Sequence, residues 1–192
     1  MRNGSSYLVL HVALLVGLCT SCCPGPRAKA QSYQLHILRY DLDDLGLGYE
    51  YEQVWPILLD VDLTESILTI TEDDIEVYDW TEQAMTLTRK ASARSQEAAL
   101  EGDYFPNWAG QAFVVTLNGE PQYGGIFEAP TSAAAARFPV IYAESEQDIV
   151  VFHLRPAHMY PIQYQDLPPS LRSIIEIPEI HDLFLEEGKL LE

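Results

Sequence analysis

Beyond residue 23 the chain has no cysteine: Cys19, Cys22 and Cys23 are the whole complement. No disulfide can therefore staple the rest of the protein, and a buried core must stabilise it. Cys19 and Cys22 have the spacing of a redox pair but lack a neighbouring βαβ pattern, which argues against that chemistry. Basic residues are scarce as well, with 11 Lys and Arg against 29 Asp and Glu. Setting aside Arg2, Arg27 and Lys29 leaves eight against 29, a net charge of −21 for residues 31–192. Such a field repels nucleic acid and anionic membrane surfaces, and suits cations, basic peptides or simple solubility. Nucleotide-binding G-x-G-x-x-G and P-loop spacings are absent, as are the HExxH of a zinc enzyme and the G-x-S-x-G of a serine hydrolase. No internal repeat or low-complexity segment stands out.

The longest apolar run, residues 7–18 (YLVLHVALLVGL), falls short of the roughly 20 residues of a membrane span. With Arg2 before it, the run fits the h-region of a signal peptide. Two processing sites follow. Cys19-Thr20-Ser21 precedes Cys22 as a small-residue box precedes a lipoprotein cysteine, although Cys19 stands where Leu is usual. Ala28-Lys29-Ala30 is an A-x-A site that would release a chain starting at Gln31. The expectation is an extracytoplasmic, cell-envelope protein, lipid-anchored at Cys22 or freely secreted. An uncleaved anchor is a further alternative, and contact with a membrane would run only through a lipid on Cys22.

Strand-like patterning marks residues 34–42, 56–63, 67–71, 84–88, 138–142 and 148–155. Residues 43–53, acidic and rich in tyrosine, read as a loop. Thr71-Glu72-Asp73-Asp74 has a hydroxyl cap and first-turn carboxylates, so it reads as a helix start, followed by a turn ending near Trp80. Residues 89–101 (RKASARSQEAALE) form the most helical segment, closed by Gly102. Residues 131–137 suggest one or two turns, and 143–147 a polar connection between the last two strands. These elements predict an α+β fold, a mostly antiparallel sheet with helices packed on one face and a C-terminal helical tail. The organisation is a leader and tether over 1–30, one domain over 33–155 and a proline-interrupted tail over 156–192.

The best-specified stretch is AFVVTLNGEPQYGGIF, residues 112–127. Asn118-Gly119 fits a type I′ turn, which pairs Leu117 with Glu120, Thr116 with Pro121, Val115 with Gln122 and Val114 with Tyr123. Pro121 then directs its missing N–H away from the hairpin, so the return strand should be a local edge. Gly124 and Gly125 read as a bulge or a crowded crossing rather than a phosphate loop. Residues 84–127, with AMTLT, a helix rich in small residues and then this hairpin, resemble the head subdomain in the first periplasmic domain of the SecD family. The resemblance implies an extracytoplasmic βαββ unit with no catalytic residues and no transport activity. The chain departs from that pattern in the DYFPNW insertion and in Tyr123-Gly124-Gly125.

Several groups are candidates for function. Asp41, Asp43, Gly46 and Glu52 occupy positions one, three, six and twelve of an EF-hand count, but Leu45 stands where an oxygen ligand is wanted; a solvated acidic loop is the alternative. His36, His153, His158 and His181 form a metal or acid–base site only if folding converges them. The loop carrying Tyr104, Phe105 and Trp108 has aromatics beside Pro106 and Gly110, a composition typical of peptide or sugar contacts. Folding back of Phe105 and Trp108 to cap the sheet is the alternative. Tyr49, Tyr51 and Trp55 form a second aromatic cluster.

The resulting expectation is a non-catalytic binding or accessory protein without metal or cofactor. It would contact an envelope protein or peptide through Tyr104, Phe105, Trp108, Pro121 and Tyr123. The rival is an extracytoplasmic hydrolase using carboxylates with His153 or His158.

Overall fold

Two strands that are almost consecutive in sequence lie near opposite ends of one sheet, and this sets the shape of that sheet. The computed structural model describes residues 31–41, 51–103, 108–129, 136–157 and 164–192. Within them are nine strands: β1 (Tyr33–Asp41), β2 (Leu68–Thr71), β3 (Ile75–Asp79), β4 (Ala84–Leu87), β5 (Gln111–Leu117), β6 (Glu120–Phe127), β7 (Val140–Glu146), β8 (Ile149–Arg155) and β9 (Leu190–Leu191). They form one sheet in the order β2-β1-β5-β6-β7-β8-β4-β3-β9. Six of the eight ladders are antiparallel; β6–β7 and β3–β9 are parallel. Only the 3-10 turn Glu72–Asp74 separates β2 from β3, so the sheet curls until its two ends approach. The α+β expectation holds: a mostly antiparallel curled sheet with a few helices.

The inside of the curl is the main core. Tyr33, Leu35, Ile37, Phe113, Val115, Tyr123, Phe127, Phe152 and Leu154 line it. Helix α2 (Arg89–Glu101) fills it with Ala91, Ser92, Ser95 and Ala99, small residues that allow a close approach to the strands. Thr88 caps α2 by accepting from the Ala91 amide, and the Ser92 hydroxyl accepts from the Val150 amide. The C-terminal segment brings α3 (Pro169–Arg172) and α4 (Pro178–Glu186), and Ile180, Leu183 and Phe184 of α4 enter the same core. Residues Gln31–Glu192 are thus one compact unit, with the helical tail part of its interior.

Helix α1 (Tyr51–Leu59) covers the other face of the sheet, over Ala112, Val114, Ile126 and Val140. It takes in residues 51–53, expected as the end of a loop, and 56–59, expected as the start of a strand; the rest of that loop, 43–50, lies outside the described residues. Val54 and Leu58, four residues apart, supply a buried helical stripe that outweighs the cost of Pro56 inside the helix. Two further differences concern length. The cap at Thr71 opens one 3-10 turn and then β3, where a turn was expected. The polar run 143–146 belongs to β7, because Gln147 and Asp148 adopt positive φ (49° and 67°) and make a two-residue turn.

Candidate functional site

The turn at Asn118 and Gly119 has φ of 56° and 81°, as a type I′ geometry requires. It is tied to the start of β1, since the Asn118 amide donates to the Ser32 carbonyl and the Ser32 amide to Asn118 Oδ1. Leu117 pairs with Glu120 and Thr116 with Pro121, in the expected register. Beyond that the register shifts: Val115 pairs with Tyr123 and Val114 with Gly124, leaving Gln122 as an extra residue. Proline cannot continue a regular ladder, and the bulge absorbs it. The slip moves Tyr123 to the core side, as one residue of shift must.

Two expected contact residues are corrected on this ground. Tyr123 is fully buried within the curl and cannot meet a partner at the surface. Trp108 is buried too, with its indole N–H donated to Ser95 Oγ at 3.2 Å and its ring against Phe127. It occupies a left-handed backbone conformation (φ 59°) that turns the ring inward before β5. Tyr104, Phe105 and Cys22 lie outside the described residues, as do His158, Tyr49 and most of the acidic 41–52 loop. Trp55 is half-buried on α1 and packs over the sheet.

Pro121 remains accessible, and the strand around it is incompletely paired. The β6–β7 ladder covers only Ile126 with Val140 and Phe127 with Ile141, so residues 120–125 have no partner in β7. The Gln122 side-chain amide donates to the Glu120 carbonyl at 3.0 Å, as polar side chains do along an edge. The glycines are packing devices. A Cβ on Gly125 would lie 1.7 Å from the Pro139 carbonyl oxygen, and one on Gly124 2.6 Å from the Phe113 oxygen. Gly124 also allows Leu58 and Trp55 of α1 to settle on β6.

A second constellation lies on the outward face of β8, where Val151, His153 and Arg155 alternate with the buried Val150, Phe152 and Leu154. His153 stands between Tyr142 of β7 and Ala84 of β4. Its Nε2 is 3.5 Å from Glu144 Oε2. Burial pushes the His153 pKa down, and Glu144 opposes that shift. Burial and Glu128 raise the Tyr142 phenol to about 12. Arg155 donates from one guanidinium nitrogen to the carbonyls of Glu82 and Leu154, and its guanidinium carbon lies 5.4 Å from the Tyr164 ring centre. The row therefore offers a neutral imidazole beside a carboxylate, a base without an activated nucleophile. Among the described residues, no serine, threonine or cysteine is hydrogen-bonded to His153.

The described histidines, His36, His153 and His181, do not converge. Buried His36 is held by the hydroxyls of Ser66, Thr69 and Thr116, while His181 lies on α4. Among the described residues, no three His, Cys, Asp or Glu side chains are grouped to hold a metal. A depression of about 320 Å³, lined by Arg39, Ile67, Ala98, Glu101 and Gly102, opens where β1 ends beside α2.

Comparison with protein-family models, curated proteins and solved structures finds no match to this chain. No helix among the described residues is long and apolar enough to cross a membrane.

Proposed function

We propose that this is an exported, envelope-associated binding protein that takes an extended, basic peptide segment along the early part of β6. The observation carrying this reading is the start of β6: residues 120–125 have no β7 partner, and of these Glu120, Pro121 and Gln122 are at least partly exposed while 123–125 are buried. A strand added there would gain main-chain hydrogen bonds, the usual source of affinity in strand addition. The net charge of −18, with exposed Glu120 at the start of the edge, favours a cationic occupant. The leader over residues 1–30 supports an extracytoplasmic setting, with Cys22 the proposed lipid attachment site; mass spectrometry of the mature N-terminus would find a diacylated or triacylated cysteine.

The test is a titration with a short peptide of alternating lysine and valine, read from backbone amide shifts. A small interface of this type binds in the range of about 1 μM to 1 mM. Shifts are expected at Glu120 and Gln122 and their immediate neighbours, the accessible start of β6, weakening with added salt. Glu120→Lys should reduce affinity by about two- to fivefold, the scale of one exposed charge pair, without changing stability. A peptide with proline at alternate positions should fail to bind. Shifts confined to another surface, or equal binding of a glutamate-for-lysine peptide, would rule the reading out.

The hydrolase alternative draws support from the His153–Glu144 pair alone. Turnover of a substrate that His153→Gln abolishes, with the fold intact, would favour it over the binding role.

A further inference from the structure

β9 is only two residues long, yet it covers the outer edge of β3. The Tyr78 amide donates to the Lys189 carbonyl and the Trp80 amide to the Leu191 carbonyl, both at 2.8 Å. Lys189 Nζ donates to the Glu72 carbonyl at 2.6 Å, tying the start of this strand to the seam between β2 and β3. Few strands this short persist on backbone bonds alone. A third connection lies next to them. His181 on α4 has Nδ1 3.2 Å from Asp182 Oδ1 and Nε2 3.2 Å from Glu192 Oε1. Its ring centre is 5.0 Å from that of Trp80, at the end of β3. One imidazole thus sits on α4 and touches the residue after β9 and the residue that follows β3.

We propose that His181 is a proton-operated latch that holds β9 on β3, so that the β3 edge is covered more tightly in mild acid than in alkali. The reason is the donor count. Both ring nitrogens face carboxylate oxygens, which only accept. The imidazolium donates from both nitrogens and is attracted by both charges. A neutral ring carries one N–H, so one contact then sets a lone pair against a carboxylate. The charged groups acting on the ring are Asp182 from its own helix and Glu192 from beyond β9, while the residue after β3 is the uncharged Trp80. Hydrogen bonding to Asp182, then to Glu192, raises the His181 pKa above its ordinary 6.5, although burial works against it. Protonation therefore favours the docked strand, and that contribution is lost as pH rises through the raised value.

Amide hydrogen exchange on the full chain tests the latch. From about pH 5 to about pH 8.5, spanning a histidine titration, protection at the Tyr78 and Trp80 amides should fall about two- to fivefold, the scale of exposed ion pairs. Rates are corrected for intrinsic exchange, and amides of the β7–β8 ladder should not follow. His181→Gln and Glu192→Gln are both surface changes that leave the core in place. Loss of the pH dependence in His181→Gln, with a weaker dependence in Glu192→Gln, upholds the latch, and its persistence in His181→Gln overturns it. An undiminished dependence in Glu192→Gln, or a flat profile in the unsubstituted chain, overturns it as well.

Discussion

Gly125 sits where β6 passes the Pro139 carbonyl, and the absent side chain is what lets the two backbones meet. The same glycine could have served a ligand; the neighbouring chain occupies that space instead. Gly119 is a different case, since nothing lies near the place of a Cβ but φ is +81°. The two positions separate steric from conformational cost. Gly125→Ala should destabilise by about 3 kcal/mol, at the upper end of overpacking costs. Gly119→Ala should cost about 1–2 kcal/mol for placing an L-residue in a left-handed conformation. Urea denaturation of both variants checks the order, and a larger loss at Gly119 would contradict the packing described. At this scale the sequence was legible for Asn118 and Gly119, whose turn chemistry is local. It was not legible for Tyr123, because the bulge after Pro121 decides which face that ring takes.

Among the elements, the seam between β2 and β3 shows how a short signal can be read correctly and its extent wrongly. The cap at Thr71 is real: its amide and hydroxyl both donate to Asp74 Oδ2, at 3.0 and 3.1 Å. The turn then stops after three residues, because Ile75 and Tyr78 are drawn into the core as strand residues. Asp74 also pairs with Arg94 of α2 at 2.9 Å. Burial pushes its carboxyl pKa up, but hydrogen bonds from Thr71 and Arg94 outweigh this and hold it below the ordinary 3.8. Asp74 therefore contributes stability above pH 3.8 that is lost as pH falls further. Asp74→Ala should cost about 1–2 kcal/mol, as loss of a cap does, with the difference from the parent chain shrinking in acid. Helix α1 was missed for a related reason. Residues 54–58 alternate poorly and contain a proline, and only the apolar face of β5 and β6 beneath them selects the helix.

For the molecule as a whole, acid should act through histidine before carboxylate. Burial lowers the pKa of His36 and of His153 below 6.5. The unfolded chain then binds protons more readily than the folded one, so stability falls as pH drops below about 6.5. His181 has the opposite sign and is half-buried, and its effect falls on β9. Thermal unfolding at about pH 7 and about pH 5 should show a loss that His36→Gln reduces. An unchanged pH dependence in that variant would show that His36 is not a source of it.

The sequence by itself determined the α+β class, the principal hairpin, helix α2, the acidic surface and the dependence on a core without disulfides. Each follows from local chemistry or from composition, which do not depend on what lies far away in the chain. Tertiary structure alone decided that Trp108 and Tyr123 are core rather than contact residues. It also decided that α4 fills the curl and that residues 120–125 have no partner in β7. Those outcomes depend on which surfaces meet: a curled sheet has an inside that must be filled, and strands of unequal overlap leave part of an edge exposed.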